Sequence, residues 1–307
     1  MLRFAIRRLA GALPTLFVIV TAAFFLMRLA PGGPFDDEQA LAPEILANLE
    51  AAYGLDQPIL VQYRNYLGGL LRGDLGPSFR YKDFSVSWLI AQGLPVTAGL
   101  GAAALILAVT AGVPLGMLAG RRRNQTADHL VMGGALIGIA VPNFVVAPLL
   151  ALVFGVLLGW LPVGGWEAGA PRYAVLPVVT LALPFVAYIA RLTRGSLLEV
   201  LQSPHIRTAR AKGLSESRIL WRHAFKPTIL PVVSFLGPAA AALLTGSLVV
   251  EQVFGLPGVG RYFVQGAVNR DYTLVMGMVV FYAALIVVLN LVVDLVYGWL
   301  DPRIRHE

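Results

Sequence analysis

Pro95-Val-Thr-Ala-Gly-Leu-Gly-Ala-Ala-Ala-Leu-Ile-Leu-Ala-Val-Thr-Ala-Gly-Val-Pro-Leu-Gly-Met-Leu-Ala-Gly120 decides the fold. It holds no charged residue, and Arg121, Arg122 and Arg123 follow it at once. A helix rises about 1.5 Å per residue and a bilayer core is about 30 Å thick, so about 20 apolar residues cross it. This stretch is long enough to cross. Five others share its character: Leu9–Leu29, Leu130–Leu158, Ala174–Leu192, Ile229–Val250 and Leu274–Trp299. The span Leu130–Leu158 contains Pro142 and Pro148, which predict a kink or a broken helix. The expected fold is an all-α integral membrane protein with six transmembrane helices, a single domain over residues 1–307.

Composition supports lipid as the solvent. Of 307 residues, 57% are hydrophobic and 13% charged, and mean hydropathy is +0.73. A soluble domain carries about 25% charged residues. The composition therefore speaks against a soluble enzyme, a disulfide scaffold, a disordered chain and a collagen-like fibre. The net charge is +7 and the pI near 9.9. In a soluble protein this would suggest nucleic acid. In a membrane protein it follows from basic cytoplasmic loops, and no nucleic-acid partner is expected. The chain has no cysteine, which excludes disulfides, thiolate metal sites and a cysteine nucleophile. His129, His205, His223 and His306 fall at or beyond span ends, and no metal-ligand pair is evident.

Lys and Arg placement sets the orientation. Arg3, Arg7 and Arg8 precede the first span, which is too long for a signal-peptide core and reads as an uncleaved anchor. With that end inside, Arg121–Arg123, the basic loop after the fourth span, and Arg303 and Arg305 all fall inside as well. Both termini are expected to be cytoplasmic. Asp36, Asp37 and Glu38 then lie outside, in a long loop over residues 30–94. That loop reads as structured. Pro43–Tyr53 suggests a short helix closed by Gly54, and Pro58–Leu71 a second, with Gly73 after it. It is either a cap over the outer face or a docking surface for another protein.

The inner loop, residues 193–228, is the densest in basic residues. Ser203 can N-cap a helix that has Pro204 at its first position, Arg210 and Lys212 near its end, and Gly213 as a stop. Ser215 can cap a second helix, which Pro227 is expected to end. Arg207 and Arg210 share one face of the first helix; Ile206, Ala209 and Gly213 share another. Such an element suits a protein contact, or it sets topology and touches anionic lipid. These residues alone leave both readings open.

The run His205-Ile-Arg-Thr-Ala-Arg-Ala-Lys-Gly-Leu-Ser-Glu-Ser-Arg-Ile-Leu-Trp-Arg-His-Ala-Phe-Lys-Pro-Thr-Ile-Leu-Pro231 resembles the coupling loop of the dipeptide/oligopeptide/nickel permeases. These are membrane subunits of binding-protein-dependent ABC importers. The loop is their form of a Glu-Ala-Ala motif that precedes a Gly at fixed spacing. Here Arg207, Thr208 and Ala209 form the triplet and Gly213 is the Gly, so the Glu is missing, and His223 replaces an Ile of the wider superfamily. Both departures are typical of the peptide branch. Tyr53-Gly-Leu-Asp-Gln-Pro58, Gly73-Asp-Leu-Gly76 and Gly93-Leu-Pro-Val-Thr97 resemble other segments of the family. So do Val249-Val-Glu-Gln-Val-Phe-Gly-Leu-Pro-Gly-Val-Gly-Arg261, Asn269-Arg-Asp-Tyr272, Asn290 to Asp294, and Asp301-Pro-Arg-Ile-Arg305.

The resemblance implies the type I ABC importer permease fold in a bacterial-type inner membrane. It implies three kinds of partner besides the bilayer: a second similar permease, two ATPase subunits and an extracytoplasmic binding protein. Ser203, Pro204, Arg207, Thr208, Ala209, Arg210, Lys212 and Gly213 would form the ATPase-coupling helix. This chain would bind no cofactor, because ATP and Mg sit on the ATPases, and it would not be an enzyme. A phosphate loop needs a Gly-Lys pair, and the chain has none. The implied cargo is peptides; glutathione, nickel chelates and sugars are the alternatives within the family.

Other residues keep two readings. Asp294 is the one acid read inside a span, as a pathway group or a structural acid near the cytoplasmic end. Asn143 either faces the pathway or bonds between helices. Val253–Tyr272, with Gly255, Pro257, Gly258, Gly260 and Arg261, either touches the binding protein or is a plain reverse loop. An ion-coupled secondary transporter would want more intramembrane acids or paired broken helices. An intramembrane protease would want a nucleophile and base inside spans.

Overall fold

The computed structural model describes residues 2–29, 43–81 and 83–300, without the side chains of 2–9, 43, 246 and 293–300. Its regular elements are helical, with one isolated bridge between Pro77 and Ser85. In chain order they are α1 (Leu2–Leu29), α2 (Pro43–Ala52), α3 (Ile59–Leu71), α4 (Val86–Arg121), α5 (Thr126–Ala140) and α6 (Asn143–Leu150). There follow α7 (Arg172–Leu201), α8 (Pro204–Ala211), α9 (Glu216–Arg218), α10 (Phe225–Phe254), α11 (Val259–Val268) and α12 (Tyr272–Leu300). Two π turns, Ala151–Leu157 and Ile219–Ala224, extend α6 and lead into α10.

Among the described residues, five helical stretches are long and apolar enough to cross a membrane, and one bent pair makes a sixth if it counts as a single span. The pair is α5 with α6 and its π extension, bent by 105° at Val141 and Pro142. The break expected in the third span is therefore real, and Pro142 makes it. Val141 is extended (ψ 119), as the residue before a proline prefers. Pro148 does not break the chain; it sits inside α6. Pro227 does not end a helix either, since α10 runs through it to Phe254. Pro148 lies shortly before one π turn, and Pro227 shortly after the other, in the first turn of α10.

The chain divides into two compact units, Met1–Pro95 with Pro257–Val288, and Val96–Leu256 with Leu289–Glu307. In the first, Phe24, Tyr272 and Met276 form a core against Tyr63, Tyr66 and Phe79. The expected helices of the outer loop are present as α2 and α3, with Gly54 and Gly73 in the left-handed region. The start of that loop lies outside the described residues. Asp271, 1% exposed, caps α12 through Leu274 N–H (3.0 Å). It also accepts from Ser78 Oγ (2.5 Å) and Arg80 N–H (3.1 Å).

In the second unit α7 packs on α5 and α10. Gly112, Gly116 and Gly120 form a strip on α4 facing α7. A Cβ on Gly116 would collide with Ala190 O and lie 2.6 Å from Thr193 Cβ; one on Gly112 would lie 2.9 Å from Ile189 Cβ. By contrast, α1 has only 11% of its apolar window buried, with Leu13, Phe17 and Val18 exposed. Lipid or another chain must cover such a face.

Candidate functional site

The inner loop begins where α7 ends. Ser203 takes the N-cap position with extended backbone (φ −66°, ψ 152°), and Pro204 fills the first turn. The cap is positional only. Ser203 Oγ turns back to donate to Val200 O (2.6 Å) and makes no bond to the N–H groups of α8. The short helix ends in the expected stop. Gly213 adopts φ +75°, and Leu214 N–H reaches back to Ala209 O (3.3 Å). A Cβ on Gly213 would meet nothing within 4 Å, so conformation rather than space requires glycine here.

The two faces of α8 have different fates. Ile206 and Ala209 are buried in a core with Leu197, Ile219, Leu220, Ala224 and Val232. Arg207, Thr208, Arg210 and Lys212 are exposed, and so is Gly213. Ala209 therefore fixes α8 to its own chain, and it is Arg207, Thr208, Arg210, Lys212 and Gly213 of the expected coupling set that stay exposed. Arg210 closes the turn by donating to Glu216, Nε to Oε1 at 2.8 Å and Nη2 to Oε2 at 3.2 Å. Both side chains are well exposed, so this pair contributes about 1 kcal/mol at most. The second helix, expected to stand alone, is instead the first turns of the span: α9 passes through the π turn straight into α10.

A further ion pair, which the sequence reading missed, holds the root of this loop. Asp128 at the start of α5 is 1% exposed. It accepts from Arg194 of α7 through both oxygens, Nε to Oδ1 at 2.5 Å and Nη2 to Oδ2 at 2.7 Å. Asn124 N–H adds a third bond at 2.9 Å from a residue with φ +62°. Arg194 is a quarter exposed, so removing one partner costs less than the ~3–5 kcal/mol of a fully buried pair. Asp128 and Arg194 lie 66 positions apart, so nothing local in the sequence marked them as partners.

Elsewhere the candidates fare differently. Gly255 ends α10 in the left-handed region (φ +64°), with Leu256 N–H bonded to Glu251 O at 2.9 Å. Gly258 and Gly260 are buried and Arg261 is half-buried, its guanidinium over the Tyr262 ring. Val259 N–H lies 2.7 Å from where a Cβ on Gly93 would be, so this turn is packed by its own unit. Of the proposed outer contact residues only Gly255 is fully exposed, with Pro257 half-buried. Asn143 begins α6 and is half-buried, with no side-chain hydrogen bond among the described residues. The side chain of Asp294 lies outside the described residues. It is also not the only acid to consider. The α10 helix outruns its expected end and buries Glu251 completely, where Thr97 Oγ1 and Ser247 Oγ each donate at 2.7 Å.

Comparison with known proteins places the chain in a family. Residues 112–306 match the family described as binding-protein-dependent transport system inner membrane component, and residues 1–101 match its N-terminal companion. The oligopeptide transport system permease protein OppB of Salmonella typhimurium is 53% identical over 306 residues, covering 100% of both chains. The dipeptide transport system permease protein DppB of Bacillus subtilis is 43% identical, covering 99% of this chain and 98% of that one. An inward-facing structure of the MetNI methionine ABC transporter shares the fold at TM-score 0.56 and 17% identity. It covers 70% of this chain and 97% of that one. The chain belongs to the binding-protein-dependent transport system inner membrane components.

Proposed function

We propose that this chain is the membrane-spanning permease subunit of an ATP-driven ABC importer for peptides. It forms half of the pathway, with a second, similar permease as the other half. Two ATPase subunits bind below and an extracytoplasmic binding protein delivers peptide from above. Both termini are cytoplasmic. The observation that carries this reading is the division of α8 into two faces. Ile206 and Ala209 lock it to the membrane-side core, and Arg207, Thr208, Arg210 and Lys212 are exposed on the face that would meet an ATPase groove. The full-length identity to oligopeptide and dipeptide permeases supports the cargo class.

The mechanism follows from rigidity. ATP and Mg are held by the ATPases, and their closure displaces α8. Because Ile206 shares a core with Leu197 of α7 and Val232 of α10, the displacement passes to two spans at once and tips the bundle between inward- and outward-open states. A β-branched residue at position 213 tests this. Gly213→Val should leave assembly intact but lower peptide uptake and peptide-stimulated ATP hydrolysis, because the αL stop costs a Cβ residue about 1–2 kcal/mol and α8 changes its exit angle. Normal uptake with normal assembly would remove α8 from the coupling role.

A further inference from the structure

A cavity of about 310 Å³ lies within the first unit, between the end of α1, the α2–α3 turn and the start of α12. The Arg28 guanidinium is part of its lining. This group is built in with care. Its Nε donates to Gln62 Oε1 (3.0 Å), and Gln62 Nε2 is itself fixed by Leu55 O (3.0 Å) and Gln57 O (2.7 Å). The rings of Phe24 and Tyr272 lie 5.1 and 5.6 Å from its central carbon. Yet Arg28 has no carboxylate partner among the described residues, and its Nη1 is buried without a hydrogen bond. The Tyr66 hydroxyl, on the same cavity, is also buried without a partner. Burial pushes that phenol up to about 12, so it stays protonated and can donate.

Two unfilled donors on one cavity are costly unless an acceptor joins them. A carboxylate has two acceptor oxygens and the opposite charge that would partner a half-buried guanidinium. The remaining wall is aromatic, with Phe24 and the edge-on pair Tyr53–Phe79 at 4.6 Å, which suits an apolar group beside that carboxylate. Asp74 stands exposed at the rim. We propose that this cavity is a binding site for a small carboxylate carrying an apolar group, held by Arg28 and Tyr66. The site itself rests on geometry. Only its natural occupant, the carboxyl end of a short peptide, rests on the importer reading.

The test uses the assembled transporter in nanodiscs, without ATP or binding protein, and saturation-transfer NMR. The probes are hydrocinnamate, the dipeptide Ala-Phe and its C-terminal amide. Hydrocinnamate and Ala-Phe should bind and the amide should not. Arg28→Gln should weaken binding about tenfold or more, the loss expected for one charge-assisted group. Tyr66→Phe, which removes one hydroxyl and keeps the ring, should weaken it several-fold. Equal binding of acid and amide, or unchanged binding in both variants, would overturn the site. So would native mass spectrometry showing a phospholipid that wild type retains, Arg28→Gln loses and the probes never displace, since lipid phosphate would then be the occupant. If carboxylates bind through Arg28 while the transporter imports no peptide, the site stands and the peptide reading fails. If peptide is imported but no probe binds, the reverse holds.

Discussion

At the scale of single residues, the glycines divide into those that space requires and those that it does not. Gly116 is the sharpest case. Its missing Cβ lets the α7 backbone approach so closely that any side chain would press on Ala190 O and the Thr193 side chain. Overpacking by a methyl group or two costs about 1–3 kcal/mol where side chains can yield, and here a helix backbone must yield instead. Gly116→Val should therefore lower both the folded yield and the melting temperature of the purified protein in detergent. Gly134→Ala should do neither, because nothing lies within 4 Å of that position. Equal melting of the two variants would mean that α4 and α7 do not pack as described. The four-residue spacing of Gly112, Gly116 and Gly120 is plain in the sequence and is the pattern of close helix contact in membranes. The sequence does not say which helix answers it, because the same spacing would serve a partner chain.

At the scale of elements, hydropathy was legible and proline was only half so. The six apolar runs all became spanning helices or the bent pair, because lipid leaves the backbone no alternative to internal hydrogen bonds. Pro142 broke its helix, while Pro148 lies inside α6 and Pro227 in the first turn of α10, and α7 and α10 also run through Pro177, Pro184, Pro231 and Pro238. A rule that reads each proline as a stop misses how often membrane helices tolerate one. The capping grammar of α8 was readable down to the αL glycine, and its periodicity separated Ile206 and Ala209 from Arg207 and Arg210. What periodicity could not say is that the Ala209 face belongs to the chain's own core while the basic face stays exposed. The long-range pair Asp128–Arg194 was invisible for the same reason, as it depends on two helices meeting. The two faces of α8 can be told apart by experiment. Ile206→Asp places a charge in a fully buried site and should prevent the loop from folding, seen as protease sensitivity between α7 and α10. Arg207→Glu, on the exposed face, should leave protease resistance unchanged while reducing the ATPase subunits that co-purify. Loss of resistance in both variants would mean that Arg207 supports the fold, and α8 would then offer no free face.

At the scale of the whole molecule, charge placement and function make one joint statement about sidedness. If Lys and Arg stay inside, α8 faces the compartment that holds ATP, and α3 with the Arg28 cavity faces the compartment from which peptide arrives. The importer mechanism needs that arrangement; the reverse orientation would set the coupling loop on the side without ATP. The chain has no cysteine, so single cysteines can report sidedness against a silent background. Arg64 on α3 and Ser217 on α9 are both exposed, and neither makes a side-chain contact described above. A membrane-impermeant maleimide added to intact spheroplasts should label Arg64→Cys and spare Ser217→Cys. Ser217→Cys should react only after the membrane is permeabilised, and should be shielded when the ATPase subunits are bound, because α9 directly follows the Gly213 turn. Labelling of Ser217→Cys in intact cells would invert the topology and with it the coupling mechanism. Labelling of both positions from outside would mean an even number of crossings between them, so that the bent pair α5–α6 enters and leaves by one face while α4 and α7 cross.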